Sequence, residues 1–229
     1  MNIVECRDVK KTYHQGRVEV HALNGVNLSI EKGGFVALAG PSGSGKTTML
    51  NIIGGLDRAD SGKVQVDGNA LDEMSQSELA SLRLHKVGFV FQAYNLIPVL
   101  SALENVEFVM LLQGVPTKER RERAETILDD VGLEGKYSRR PAELSGGQQQ
   151  RVAVARAIVS DPSIVLADEP TANLDSKNGM GLLEMMRDMN EKKKVTFIFS
   201  THDHMVMDCA RRLVHIRDGQ VADDEVKER

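Results

Sequence analysis

A glycine-rich segment with a single lysine is the clearest chemical signal in this sequence. Residues 40–47 fit the phosphate-loop pattern G-x-x-x-x-G-K-[ST], after the apolar run 35–39 and before a predicted helix. Backbone N–H groups in such a loop turn toward one point, Lys46 reaches the β- and γ-phosphates, and the Thr47 hydroxyl can ligate Mg²⁺. The residues expected to contact a bound nucleotide are Gly40, Pro41, Ser42, Gly43, Ser44, Gly45, Lys46, Thr47 and Thr48.

Two adjacent acids close a second apolar run, residues 164–167. Asp168 and Glu169 would then stand at the carboxyl edge of a sheet, beside the phosphate loop. We expect Asp168 to hold Mg²⁺ through its water shell and Glu169 to polarise the water that attacks the γ-phosphate. A strand that ends in two acids is common by itself, and the phosphate loop in the same chain favours this interpretation.

A second pair of glycines lies at another predicted helix start. Ser145, Gly146 and Gly147 offer a hydroxyl and free N–H donors, and such a helix start is a second possible anion site. Gln148 also stands at the capping-box position for Ser145, so an ordinary capped helix is the simpler alternative. A capping box does not explain two adjacent glycines.

These motifs, with the continuation of the last one over residues 149–157, resemble the ATP-binding cassette (ABC) ATPases over essentially the whole chain. The resemblance implies an α/β fold: a P-loop NTPase core with a mostly parallel sheet, an N-terminal antiparallel β subdomain and a helical subdomain. It also implies ATP and Mg²⁺ as cofactors, and hydrolysis of ATP because the catalytic position holds Glu169. In this family the signature of one chain closes over nucleotide held by the other, so the resemblance implies an ATP-dependent homodimer.

Four further positions acquire roles from the resemblance. Tyr13 stands where an aromatic ring stacks on adenine, although a strand-edge tyrosine is the ordinary alternative. Gln92 resembles the Q-loop glutamine that approaches Mg²⁺, and His202 resembles the switch histidine that contacts the γ-phosphate. Asp175 resembles the acid of the D-loop, and it also fits a helix N-cap before Ser176. The remaining histidines are expected to be surface or structural: His14, His21, His85, His204 and His215.

Three segments are similar to the branch that contains the LolD lipoprotein-release and MacB efflux ATPases: residues 54–57, 94–106 and 170–175. Ala172 replaces the usual glycine of the last segment. This similarity implies a separate integral membrane permease, contacted by the helical subdomain and the Q-loop region, with lipoprotein release or MacB-like efflux as the process. The alternative is a soluble ABC ATPase that switches a cytosolic or nucleic-acid machine.

The elements that would position these residues follow from the hydrophobic pattern. Short apolar runs at 18–20 and 26–30 indicate antiparallel strands, and buried strands are expected at 35–39, 164–167 and 195–199. Capping boxes are expected at Ser75 with Glu78 and at Ser101 with Glu104. Further helices are predicted from Thr47, from Gly147 and after Ser176. Lys192, Lys193 and Lys194 are expected to form a solvated turn.

The whole chain, 1–229, is interpreted as a single ABC ATPase domain. Its core is expected to comprise about 1–93 and 161–229, and its helical subdomain about 94–160. Its 29 basic and 33 acidic side chains give a net charge of −4, so no nucleic-acid partner is expected. Two cysteines, no long apolar run and no signal peptide indicate a cytoplasmic protein, held at the inner face of the membrane by its partner.

Overall fold

The computed structural model describes residues 1–16 and 18–227. The strands are β1 Asn2–Gln15, β2 Val18–Glu31, β3 Phe35–Ala39, β4 Ser61–Val66, β5 Asn69–Ala70, β6 Val87–Val90, β7 Ile164–Asp168, β8 Thr196–Thr201, β9 Arg212–Arg217 and β10 Gln220–Val226. The helices are α1 Lys46–Ile53, α2 Gln76–Lys86, α3 Ala102–Leu112, α4 Thr117–Asp130, α5 Gly146–Ile158, α6 Ser176–Lys193 and α7 His204–Cys209. Within the described ranges no helix has the length and apolar character needed to cross a bilayer.

A central sheet with the strand order β10-β9-β3-β8-β7-β6 positions the candidate site. Its neighbouring strands run parallel, except that β10 pairs antiparallel with β9. Every residue of β3 is buried, which explains its continuous apolar run. The register pairs Ala39 with Thr201 and Asp168 with Ser200, so the carboxyl ends of β3, β8 and β7 meet at one edge.

The N-terminal residues form a separate antiparallel sheet with the order β2-β1-β4-β5. The two short strands predicted at 18–20 and 26–30 are parts of one strand, β2. Val9 of β1 pairs with Val26 and the next residue, Lys10, pairs with Asn24, so Gly25 is an extra residue in β2. Gly25 has φ +79°, a conformation that suits glycine in a β-bulge. The glycine therefore bends a continuous strand instead of ending it.

The capping boxes predicted at the starts of α2 and α3 are confirmed. Ser75 Oγ accepts from the backbone N–H of Glu78 at 3.3 Å, and the Glu78 carboxylate accepts from the Ser75 N–H at 2.8 Å. The same reciprocal bonds join Ser101 and Glu104 at 3.2 and 2.7 Å. Each box satisfies donors that a helix start leaves unpaired, and so it fixes where the helix begins.

Small differences concern helix ends. Helix α1 begins at Lys46 and α5 at Gly146, each one residue before the predicted start. The expected lysine turn is partly wrong, because Lys192 and Lys193 form the last turn of α6. Only Lys194 leaves the helix, as a left-handed C-cap with φ +57°, and all three are exposed. Basic side chains in a last turn interact favourably with the helix dipole, which favours a helix that includes Lys192 and Lys193 over one that ends before them.

The central sheet is the middle layer of the molecule, with a separate core on each face. On one face Phe35, Phe197 and Phe199 pack with residues of α3 to α6, and the rings of Phe35 and Phe199 lie 4.7 Å apart. On the other face Leu38 and Ile198 pack with α1, α2 and the N-terminal sheet. Alternate residues of one strand thus serve both cores, so the strands that lead to the site are packed on both faces.

Candidate functional site

The phosphate loop joins β3 to α1 and holds a buried lysine. Lys46 is 6% exposed, and its ammonium donates to the carbonyl oxygens of Gly40 at 2.7 Å and Pro41 at 2.8 Å. Burial lowers the pKa of Lys46, while the nearby carboxylates of Glu169 and Asp168 act in the opposite direction. The lysine is therefore already held over the loop that it is expected to serve.

Unsatisfied polar groups in the same loop fit a phosphate. The hydroxyl oxygen of Ser44 is buried, and in the described part of the chain it has no hydrogen-bond partner. Gly45 is the N-cap of helix α1 and supplies no side-chain cap, so the first N–H groups of the helix are open to an anion. Buried polar groups normally have partners, and a triphosphate would supply them here.

The glycines of the loop differ in how much space an added side chain would have, and so in how much ATP affinity an alanine should cost. Gly40 has φ +156°, and a Cβ there would overlap the carbonyl oxygen of Ile216. Gly43 has φ +78°, and a Cβ there would meet no atom within 4 Å. We expect Gly40→Ala to weaken ATP binding about 10-fold or more, because the loop must distort by a few kcal/mol, and Gly43→Ala to weaken it less.

Titration calorimetry with MgATP measures both affinities, and thermal unfolding of each variant checks that it is folded. Equal losses for the two alanines would contradict the packing argument.

A hydroxyl and a carboxylate meet where Mg²⁺ is expected. The Thr47 hydroxyl donates to Asp168 Oδ1 at 3.0 Å, which joins the start of α1 to the end of β7. Among the described residues there is no cluster of three His, Cys, Asp or Glu side chains that could hold a metal. This donor set fits Mg²⁺, which proteins hold through one or two carboxylates with nucleotide phosphates and water.

Glu169 follows β7 in a strained conformation. Its φ is +46°, in the left-handed region, and its N–H donates to the carbonyl of Ser200 at 2.9 Å. The carboxylate accepts from the Thr201 hydroxyl at 3.2 Å and lies 2.7 Å from His202 Nδ1. A non-glycine residue in this region costs about 1–3 kcal/mol and persists where the surroundings fix it. The strain turns the carboxylate toward the end of β8.

A side-chain pair that was not predicted from the sequence joins the loops after β7 and β8. The Thr171 hydroxyl donates to Asp203 Oδ2 at 2.7 Å, and the Asp203 N–H donates to the Thr201 hydroxyl at 2.9 Å. These bonds hold the segment of His202 against the segment of Glu169. The signal was the run of polar residues that directly follows the buried strand β8.

Tyr13 lies beside the first turn of α1. Its hydroxyl donates to Asp57 Oδ2 at 2.6 Å, and the nearby Thr48 side chain acts to lower the pKa of the phenol. Burial raises the pKa of Tyr13, and the Asp57 carboxylate raises it further. The ring is half-buried. Because the phenol lies near Thr48 in the first turn of α1, the structure brings the predicted aromatic residue to the phosphate-loop helix.

The signature segment begins α5 with a capping box. Ser145 Oγ accepts from the N–H of Gln148 at 3.4 Å, and the Gln148 side chain accepts from the Ser145 N–H at 3.1 Å. The simpler alternative of the sequence analysis, a capped helix, is therefore correct locally. Ser145 is exposed, so its position also leaves it open to a ligand from outside the chain.

The two glycines of the signature face other loops of the same chain. A Cβ on Gly146 would lie 2.9 Å from the hydroxyl of Tyr94, and one on Gly147 would lie 3.5 Å from Asn178. Arg156 of the same helix donates to the carbonyl of Tyr94 at 2.9 Å and holds that residue at φ +59°. These neighbours belong to the segments after Gln92 and Asp175. Gly146 and Gly147 therefore pack against those segments and not against the phosphate loop of their own chain.

Gln92 and Asp175 have different surroundings. Gln92 is exposed after β6, and its carbonyl accepts from the Asn173 side chain at 2.8 Å. Asp175 caps α6, because Oδ1 accepts from the Asn178 N–H at 3.0 Å, as its alternative role predicted. The Gln92 and Asp175 segments are thus tied together at the sheet edge.

Comparisons with known proteins agree with this geometry. The family profile described as "ABC transporter" matches residues 23–172. The chain is 49% identical to an uncharacterized ABC transporter ATP-binding protein of Thermotoga maritima, over 96% of this chain and 93% of that protein. It is 45% identical to the macrolide export ATP-binding/permease protein MacB of Mannheimia succiniciproducens, over 99% of this chain and 35% of that protein.

The chain thus spans about a third of the MacB relative's length. Among solved structures, it resembles a dimeric ATP-binding cassette of Methanocaldococcus jannaschii in a post-hydrolysis state with ADP and phosphate. The TM-score is 0.91, with 43% identity over 99% of both chains.

Proposed function

The chain belongs to the ABC transporter family of ATP-binding proteins, and on that basis we propose how its residues drive a membrane permease. It is an ATPase with the ABC fold that its sequence predicted. One observation supports this function above the rest: the phosphate loop, Asp168, Glu169 and His202 lie at one sheet edge. Relatives that are transporter ATP-binding proteins favour this function over a cytosolic switch.

We propose that ATP binds with its phosphates in the loop of residues 40–48. Lys46 exchanges its bonds to the loop carbonyls for the β- and γ-phosphate oxygens, and Ser44 gains the partner that its hydroxyl lacks. Thr47, Asp168 and Gln92 would hold Mg²⁺, which would neutralise phosphate charge. Tyr13 is the platform on which adenine stacks.

Glu169 is the base that orients and polarises the attacking water, which adds to the γ-phosphorus as the bond to ADP breaks. His202 lies 2.7 Å from the Glu169 carboxylate and is 68% exposed, so it can turn to the γ-phosphate without losing a buried contact. The strained backbone of Glu169 fixes the direction of the carboxylate before ATP arrives.

A second copy of the chain completes each site. Ser145, Gly146, Gly147 and Gln148 do not reach their own phosphate loop, and their helix start, with Ser145 exposed and the other three residues partly exposed, is suited to the γ-phosphate of ATP on the other copy. Asp175 accepts from the N–H of Asn178, and the Asn178 side chain lies against Gly147, so Asp175 would stand at the same interface. Two identical chains then enclose two ATP molecules with closed symmetry.

An apolar groove is the proposed contact for the membrane permease. It lies between the sheet and the segment 94–160, which we infer to be the helical subdomain. Its lining includes Leu56, Leu84, Phe89, Phe91, Leu112 and Arg156. Leu56 and Leu112, which line the same groove, are 48% and 58% exposed, and exposed apolar side chains grouped in one groove are typical of interaction sites. The permease would hold the ATPase at the inner membrane face, and relatives named MacB favour efflux as the process.

Leu112→Glu should separate the ATPase from the membrane. A carboxylate in the groove must be desolvated when an apolar partner docks, so we expect at least about 10-fold less chain recovered with native membranes. Affinity purification from membranes of the native host, followed by mass spectrometry, measures this recovery and identifies the permease. Val226→Glu is the matched control, because Val226 is 70% exposed on β10, outside the groove. Equal recovery of both variants would remove the groove from this role.

A further inference from the structure

Asp57 connects the predicted adenine platform to the end of the phosphate-loop helix. It lies after α1, and its Oδ2 accepts a 2.6 Å hydrogen bond from the phenol of Tyr13. Its Oδ1 accepts from the backbone N–H of Arg58 at 2.7 Å and from Lys11 Nζ at 3.0 Å. Three donors from separate groups therefore fix the carboxylate that holds the phenol.

Lys11 lies over the ring of Tyr13. Its ammonium lies 5.2 Å from the centroid of the Tyr13 ring, within the range of a cation–π contact. It also donates to the carbonyl of Arg58 at 2.8 Å, so it is held there by several bonds. Because the Lys11 ammonium lies on the ring and the Tyr13 hydroxyl is fixed, the ring has a defined orientation before adenine binds.

Burial acts to raise the pKa of Asp57, but the hydrogen bonds from Tyr13 and Lys11 outweigh it and hold that pKa below its ordinary value. The carboxylate is therefore charged near neutral pH. The Tyr13 phenol has a raised pKa and remains a donor. Both ends of the bond are in the correct protonation state for the bond to persist across the physiological range.

We propose that Asp57 is a positioning residue for ATP, which orients Tyr13 so that the ring meets adenine in a stacked geometry. The inference rests on the proposed function, in which Tyr13 is the adenine platform. Without Asp57 the ring keeps its contact area but rotates and tilts more freely, so part of the binding free energy is spent on ordering it. Asp57 touches the base only through Tyr13.

The test is a set of ATP affinities measured by titration calorimetry on the full chain. Asp57→Ala should weaken MgATP binding about 3- to 10-fold, since oriented aromatic stacking contributes about that much beyond buried area. Asp57→Asn should restore most of this loss, because the amide oxygen still accepts from the phenol. In a Tyr13→Phe chain, Asp57→Ala should have little further effect, since the bond is already absent.

Steady-state kinetics add a second measurement, in which Asp57→Ala should raise KM and leave kcat within about 2-fold. Asp60→Ala is the matched control. Asp60 lies 3.5 Å from the same Lys11 ammonium and accepts from the backbone N–H of Thr12 at 2.6 Å. The control removes a carboxylate from the same cluster while keeping the phenol bond, so ATP affinity should stay near wild type.

The outcomes test two claims separately: that Tyr13 is the adenine platform, and that Asp57 positions it. If Tyr13→Ala weakens ATP binding and Asp57→Ala does not, the positioning role of Asp57 is wrong while the platform stands. An Asp57→Ala loss of equal size in the Tyr13→Phe chain would also overturn it, because Asp57 would then act by another route. Wild-type affinity in Tyr13→Ala would refute the platform itself, and with it both claims.

Discussion

Glu169→Gln is expected to abolish ATP turnover while ATP still binds. Removing a general base typically costs about 10²- to 10⁴-fold in rate. Glutamine has the same shape, and the bonds of the phosphate cradle, from Lys46 to the loop carbonyls and from Thr47 to Asp168, do not involve Glu169. ATP that binds and is not hydrolysed should hold two chains together. Phosphate release measures turnover, and gel filtration with MgATP detects the trapped dimer.

Glu184→Gln is the control for this substitution, because Glu184 is exposed on α6. It should hydrolyse ATP like the wild type and show no trapped dimer. If Glu169→Gln retains near wild-type turnover, another group activates the water. A loss of ATP binding in the same variant would instead show that Glu169 belongs to the cradle.

Mixing two inactive variants should restore a working site. A Lys46→Ala chain cannot bind phosphate well, and a Ser145→Arg chain blocks the site on its partner. In the mixed dimer one site carries both lesions and the other carries neither. We expect each variant alone to lose about 10²-fold or more of its ATPase activity, as when one charge-stabilising group is removed, and the mixture to regain ATP-dependent association. Crosslinking and phosphate release measure both properties.

Ser145→Arg has two effects: it removes a helix cap, and it is proposed to block nucleotide on the partner. Ser101→Arg is the control that removes a cap alone. Both serines are N-caps with capping boxes, so both arginines cost a cap, about 0.5–2 kcal/mol. Only Ser145 is proposed to face nucleotide, and Ser101→Arg should therefore keep its ATPase activity. Heterodimers that form without any gain in ATP-dependent closure would support a site built within one chain.

Local chemistry made much of this site predictable. The phosphate-loop spacing identified Lys46 and Thr47, and the apolar runs before Asp168 and His202 placed both residues at strand ends, which the sheet brings to one edge. Capping boxes were predictable because they depend on residues three apart. In each of these cases the sequence pattern and the physical contact lie within one short segment.

What the sequence did not reveal depends on contacts between distant segments. The Thr171–Asp203 bond and the Tyr13–Asp57 bond join residues 32 and 44 positions apart, and no periodic pattern marks either pair. The left-handed backbone of Glu169 is also invisible in the sequence, because glutamate has no preference for that region. Two short strands were predicted at 18–20 and 26–30 where the structure has one, because the glycine between them suits a β-bulge as well as a turn.

The place of β3 in the central sheet has a consequence for synthesis on the ribosome. Both neighbours of β3, β8 and β9, come late in the chain, and the bond from Gly33 to Thr196 spans 163 residues. The phosphate loop therefore emerges long before the strands that support it. Nascent chains halted before residue 196 should lack a stable nucleotide site, and their exposed apolar β3 would make them substrates for chaperones.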